Sequence, residues 1–346
     1  MWYNLGMNVD RSMPADWDEQ VARLGGGILQ SEAWARFQAV GLKRPVLWRS
    51  DDNWVWSAAV RKSRGGFKYL LASYGPVARD AAAMKSALTS LQEVAREQRA
   101  DFVRCEPVGD FDDEVIHAAG GRPAGEVNPK HTHALDLTQT EEELKRGLES
   151  GHRNRINGAE RRGITIERIE HFGGDEAAGN PEGSDLDDFL RMMADTARHS
   201  GITAYSDDYY RTLWRVLGAA DTKAAELYYA RVDKGARIAS AIVFDWQDTR
   251  YYAYAAADQE QNRRVGASVV LVWRTIMDAK AAGRTKYDFW GVAPPTAGTE
   301  HAWAGISAFK RGFGGHDLTI GYHGTWDFVV RPLVYRVYRV AKKVMP

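Results

Sequence analysis

The spacing of hydrophobic and polar positions changes period several times along the chain, and these changes mark its elements. β-prone runs separated by Asp51-Asp52-Asn53 and Gly65-Gly66 predict strands at 46–49, 54–60 and 68–73. The period then lengthens to that of a helix over 84–99, where Leu88, Leu91, Val94 and Ala95 share a stripe. A strand at 102–105 follows and stops at Pro107. Upstream, Ser31 caps a short predicted helix at 32–40 that ends at Gly41. The second half opens with an extended stretch at 131–137. Thr140 and the acids after it make a capping-box start. Helical sequence continues, with a weak point at Gly151, to Arg162 and the closing Gly163. After a strand at 164–168, the Gly-rich acidic segment 173–184 reads as a surface loop. Ser184 and Ser206 cap two helices that close at Gly201 and Gly218. Strands at 226–232, 238–246 and 250–256 come next, the first two joined by an Asp233-Lys234-Gly235 hairpin turn. A helix at 267–282, closed by Gly283, leads to a strand at 286–289.

The order of three strands, a long helix and a strand therefore occurs twice, in 54–107 and in 226–295. This predicts two structurally similar α/β (α+β) domains with mixed sheets flanked by helices. The longest apolar runs, 238–244 and 265–273, fall far short of the roughly 20 residues that span a bilayer. The first twenty residues are polar and acidic where a secretory signal needs a basic start and an apolar run. Both readings point to a cytoplasmic protein. The single cysteine, Cys105, excludes an intrachain disulfide and a cysteine-based zinc cluster, and reads as a small buried side chain. Twelve tryptophans need a core to hold them, which excludes bulk disorder.

Several familiar chemistries are absent: no phosphate loop of the G-x-x-x-x-G-K-[ST] type, no H-E-x-x-H, no G-x-S-x-G. His131 and His133 could face one side of a strand, but a metal site needs more ligands, so they read as strand histidines. More informative is 261–268, with Arg263, Arg264, Gly266 and Ser268 ahead of a long helix. Arginines beside a helix N-terminus make an anion site, since free N–H groups and the helix dipole both favour negative charge there. Solvated loop arginines are the alternative. The spacing also resembles the pyrophosphate loop of acetyl-CoA-dependent N-acetyltransferases, with Ser268 where that loop has Gly or Ala.

The most specific stretch is Tyr287-Asp288-Phe289-Trp290-Gly291-Val292, followed by Phe309-Lys310-Arg311-Gly312-Phe313-Gly314-Gly315 and Gly324-Thr325-Trp326-Asp327. With Leu29-Gln30-Ser31, Trp34, Ser73-Tyr74-Gly75-Pro76-Val77 and 153–163 in the same order, the chain resembles the FemABX family of aminoacyl-tRNA-dependent peptidyltransferases. The resemblance runs from residue 28 to about 335. It implies two tandem acetyltransferase-like (GNAT) domains, here without the long coiled-coil insertion of some members. The expected division is 1–138 with 320–346, and 139–319. It also implies transfer of an amino acid from aminoacyl-tRNA to an amine of a peptidoglycan stem peptide, carried by UDP-MurNAc-pentapeptide or lipid II, with no cofactor.

By the same resemblance the family's Phe-Lys pair falls on Phe309 and Lys310, the lysine stabilising the oxyanion formed as an amine attacks the ester. Asp288 is a candidate base by motif position, with a structural job the stronger reading. Tyr209 and Tyr254 fall on tyrosines that contact the muramyl peptide, and Gly75 lies in a matching motif. Arg36 takes the place of a basic residue that meets precursor phosphates. Tyr205 stands where some members have a second phosphate-binding arginine, Gln38 is neutral, and Tyr74 replaces a common Arg or Lys. These departures bear on the nucleotide-linked acceptor and leave the lipid-linked one open. The competing readings are an acyl-CoA-dependent N-acyltransferase using the 263–268 segment and a noncatalytic binder of cell-wall precursors.

Charge then qualifies the picture. The total is zero, 46 basic against 46 acidic residues, which argues against a uniformly basic nucleic-acid binder. Yet 144–168 carries seven Lys/Arg against three Glu, 331–346 carries five with no acid, and 170–210 carries ten acids against two Arg. The basic segments suit tRNA phosphate or an anionic membrane surface. In 331–346, Val334, Tyr335, Val337, Tyr338 and Val340 interleave with the cations, so this helix either docks its apolar face on the protein or meets the inner membrane peripherally.

Overall fold

The computed structural model describes residues 13–63, 65–170, 185–200, 204–233, 235–315 and 318–344. The acidic loop predicted at 173–184, the Ser184 cap, Gly201 and Lys234 of the hairpin turn lie outside the described residues. By its internal contacts the chain forms two units, one from the segments up to Lys130 and from Tyr322 onward, the other from His131 to Gly321.

In the first unit, β1 (Val46–Asp51), β2 (Trp54–Lys62) and β3 (Lys68–Ala72) form an antiparallel meander. The helix α3 (Ala81–Glu97) then crosses over, and β5 (Phe102–Cys105) pairs parallel to β3. The sheet is completed by β14 (Trp326–Val329) and β6 (Arg122–Pro123), with β4 (Val77–Ala78) against β2. Asp80 caps α3 through the Ala83 N–H. The helix lays Met84, Leu88, Leu91 and Val94 on Trp54, Trp56, Leu70, Val103 and the buried Cys105. On the other side of the sheet, Phe102 packs with Tyr335 and Tyr338 of the C-terminal helix. Arg104 is buried there, bonded through Nε and Nη2 to Asp327 at 2.8 and 2.7 Å, and Asp327 also accepts the Tyr335 hydroxyl.

The second unit repeats the plan. β9 (Ala225–Val232), β10 (Arg237–Trp246) and β11 (Thr249–Ala257) are antiparallel neighbours. After α9 (Gln259–Val265) and α10 (Ala267–Ala281), β12 (Lys286–Gly291) returns parallel to β11. The full order is β13-β7-β12-β11-β10-β9-β8, with β7 (His131–Asp136), β8 (Ile164–Ile169) and β13 (Thr319–Gly321). Successive side chains of β9 show the two faces: Tyr228 bonds Asp278 of α10, while Tyr229 reaches the Asp185 carbonyl just before α7 (Asp187–Ser200).

Two sequence expectations change. The boundary falls at 130/131 and 321/322, not at 138/139 and 319/320, because β7 pairs with β12 and β13. The stretch 259–265 is a helix, not a loop, and Asp258 caps it through the Gln261 N–H. The Thr140–Glu143 capping box forms as predicted and starts α5 (Glu141–Gly147); the chain breaks at Leu148–Glu149 before α6 (Ser150–Asn157). The longest helix among the described residues, α3, has 17 residues, so none of them forms a long coiled coil.

Candidate active site

β11 and β12 run parallel, but their register ends at the Tyr251↔Asp288 pair, after Thr249↔Lys286 and Arg250↔Tyr287. β11 continues to Ala257 and β12 to Gly291, so the carboxyl ends of both strands are left without each other as partners. Such ends of parallel strands are where α/β folds admit ligands. Two irregularities shape this opening. On β12 the pairing with β7 shifts between Asp288 and Gly291, where Trp290 adopts φ 63°. The Asp288 carboxylate accepts the Trp290 N–H at 2.7 Å and so holds this left-handed residue, an unfavourable conformation for a bulky side chain. On β11 the register with β10 passes from Ile242↔Tyr254 to Val243↔Tyr252, leaving Ala253 unopposed. The bulge reverses the alternation. Tyr252 packs in the core with α10, whereas Tyr254 turns to Phe244 and to Tyr209 and Tyr210 of α8 (Asp207–Leu217).

Lys310 lies on α11 (Ala304–Arg311), and three bonds fasten this helix to the segment leaving β12. Lys310 Nζ donates to the Gly291 carbonyl at 2.6 Å, Ser307 Oγ accepts the Ala293 N–H, and Arg311 donates to the Ala293 carbonyl. The lysine is only 6% exposed, which rules out a solvated surface residue. Burial pulls its pKa down to about 8, and the charge of Asp288 partly opposes the fall. Burial pushes Asp288 itself up, against the Trp290 N–H and the charges of Lys286 and Lys310. A cation of lowered pKa and a carboxylate of raised pKa thus share the foot of the opening. Phe309 has a different part: its ring packs on Phe313 and on His152 of α6, and its carbonyl meets His152 Nε2 at 3.1 Å. These contacts tie α11 to α6.

Tyr209 and Tyr254 meet hydroxyl to hydroxyl at 3.0 Å, and Tyr205 stacks on Tyr209 with ring centroids 4.1 Å apart. Burial drives the Tyr254 hydroxyl well above its usual pKa, so it stays a neutral donor and acceptor. Tyr205 remains 56% exposed and offers an open aromatic face.

Arg263 and Arg264 are exposed at the end of α9, with Arg264 on Glu260 at 2.6 Å. Gly266 joins α9 to α10 at φ 72°, a left-handed conformation that favours glycine, and a Cβ there would lie 2.6 Å from Arg155 Cδ and displace that side chain. Arg155, from the basic 144–168 segment, thereby joins the cations at the α10 N-terminus, a role its local sequence did not single out. Asn262 Oδ1 already accepts the Ser268 N–H, which removes one of the N–H donors a phosphate would use.

Arg36 and Gly75 belong to the first unit. Arg36 is exposed on α2 (Glu32–Arg36), which Ser31 caps as expected before a π-turn at Phe37–Gly41. Gly75 approaches the Gln30 amide so closely that a Cβ would lie 2.5 Å from it. Gln30 in turn accepts the Ser57 N–H and donates to the Ser57 and Ser73 carbonyls. Gly75 is therefore built into the support of this loop. His133 is buried with Nε2 2.8 Å from the Gly314 carbonyl.

Residues 150–311 match the acetyltransferase (GNAT) domain family. Across nearly the whole chain the fold is similar to that of FemX, with a TM-score of 0.75 at 18% identity, covering 93% of this chain and 97% of FemX. A second similar structure is the C-terminal domain of an Agrobacterium fabrum protein assigned as a lysylphosphatidylglycerol synthetase (TM-score 0.57, 17% identity, 91% and 92% covered). A third is L-PGS from Bacillus licheniformis (TM-score 0.55, 14% identity, 91% of each chain). No curated protein sequence matches the chain significantly. The fold is FemX-like, mixed α/β with a GNAT domain in its second unit.

Proposed function

From a FemX-like fold with a GNAT domain, we propose an aminoacyltransferase that moves an amino acid from aminoacyl-tRNA to an amine of a peptidoglycan stem peptide. The acceptor is UDP-linked or lipid-linked, and the site lies where β11 and β12 part. The observation that carries this reading is Lys310: buried, tied to the Gly291 carbonyl, with a pKa lowered to about 8.

The acceptor amine attacks the carbonyl carbon of the aminoacyl ester, forming a C–N bond and a tetrahedral oxyanion. The Lys310 ammonium stabilises that charge, which is larger in the transition state than in the ground state. The ester C–O bond then breaks, and the ribose oxygen of the tRNA leaves with the proton released by the amine. Holding both substrates in line supplies much of the rate, so neither a protein nucleophile nor a cofactor is required. Tyr209, Tyr254 and the open face of Tyr205 would grip the acceptor peptide, and Arg155, Arg263 and Arg264 would meet donor phosphate.

The GNAT match favours a second reading, an acyl-CoA-dependent N-acyltransferase. The Asn262–Ser268 bond counts against it, since it takes up one of the N–H donors a pyrophosphate would use. Incubation with a charged tRNA pool and UDP-linked or lipid-linked muramyl-pentapeptide should add an aminoacyl mass to the acceptor. An acceptor left unchanged by every tRNA pool sinks the proposal, and thermal stabilisation by acyl-CoA alone selects the second reading.

A further inference from the structure

The C-terminal helix α12 (Pro332–Val344) divides its hydrophobic residues between two faces. Tyr335 and Tyr338 are buried against Phe102. Leu333, Val337 and Val340 point the other way and are 75%, 60% and 64% exposed, the three highest values among the large hydrophobics exposed on the described residues. Their spacing of four and three places them within roughly a 60° arc of the helix. Arg336 and Arg339, both exposed, flank the arc on one side, and no acidic residue occurs from Arg331 to the last residue. None of the described helices is long and apolar enough to cross a membrane.

We propose that α12 lies flat on an anionic lipid bilayer, with Leu333, Val337 and Val340 in the acyl boundary and Arg336 and Arg339 at the headgroups. Three features select this partner. The outward apolar side chains are all aliphatic and stand on a convex helix, whereas protein hot spots favour aromatic and Arg anchors fitted to pockets. The flanking charge has one sign and complements anionic headgroups. A second copy docked stripe to stripe would bring the arginines of both chains together, which like charges oppose. The inference does not depend on the identity of the acyl donor. It would bring the first unit to the surface where a lipid-linked acceptor resides.

The test is cosedimentation of the full chain with vesicles of phosphatidylcholine alone and of phosphatidylcholine mixed with phosphatidylglycerol. The wild type should pellet with the mixed vesicles, weakly with the neutral ones, and less as salt is raised. Arg336→Gln should weaken the mixed-vesicle partition about fivefold. The triple variant Leu333→Gln, Val337→Gln, Val340→Gln should weaken it by on the order of 100-fold or more. All three changed residues are exposed, so the thermal melt should stay at the wild-type value, which separates lost docking from lost folding. Absence of mixed-vesicle binding, equal binding to neutral vesicles, or binding that survives the triple variant would overturn the proposal. A dimer in solution that the triple variant abolishes would overturn it in favour of a second copy.

Discussion

Arg250 and Lys310 are both buried cations of the second unit, yet they are compensated in opposite ways. Arg250, 0% exposed, sits inside the paired part of β11 and β12, opposite Tyr287. Its guanidinium bonds Asp245 at 2.7 and 2.6 Å, Glu226 at 2.8 Å, the Tyr228 hydroxyl at 3.0 Å and the Thr275 carbonyl. Burial works against its charge, but the Asp245 bonds override it and raise the pKa. Lys310, past the point where the strands part, gives its ammonium to a single carbonyl, with Asp288 acting through its charge. There burial wins. The contrast shows why burial by itself does not mark a functional cation: what matters is how much of the desolvation cost the partners return. Arg250 is held charged to organise the sheet. Lys310 is left short of partners, and under the proposed function a developing oxyanion would supply what the fold withholds.

The largest expected effect tests the structural half of this contrast. Arg250→Met strips Asp245 and Glu226 of their buried cation, leaving Glu226 to Arg168 and Asp245 to the more distant Arg284, and should cost about 3–5 kcal/mol in urea unfolding. Lys310→Met removes a poorly compensated charge and should change stability by no more than about 1 kcal/mol. Equal losses for the two variants would erase the distinction. Next comes turnover: Lys310→Ala should lower kcat/KM by on the order of 100-fold, equivalent to one lost oxyanion donor, with the melt nearly unchanged.

The pH profile sharpens the same point. If the ammonium is the active form, activity is full below the lysine's pKa and is lost as pH rises through about 8. Asp288→Asn removes the charge that supports the protonated form, so the falling limb should move to lower pH; a limb that stays put would detach Asp288 from the site. The smallest effect is expected at Tyr209→Phe, which deletes one hydroxyl contact and should raise KM for the acceptor a few-fold, roughly 1 kcal/mol or less.

Much of the fold was legible along the chain. The Ser31, Thr140 and Ser206 caps, the Leu88–Leu91 stripe of α3 and the repeated strand-helix-strand order all appear where the pattern placed them. The site was legible in part. Phe309-Lys310 could be picked out by resemblance, but a lysine followed within five residues by three glycines carries no local sign of being buried. α11 went unassigned, and with it the three bonds that draw Lys310 onto Gly291. Arg250 drew no attention, since its four partners come from strands and a helix up to 25 residues distant. The Ala253 bulge was equally hidden, and without it a strict period of two would put Tyr254 on the core side with Tyr252.

The sequence by itself determined where elements begin and end, because caps, turns and periodicity act over a few neighbouring residues. Only the tertiary structure decided that β7 joins the second sheet, that the α12 tyrosines turn inward while its aliphatics stay out, and that Lys310 is buried. Those outcomes depend on which distant segment covers a given face, and the desolvation that tunes Lys310 arises only once that cover is in place.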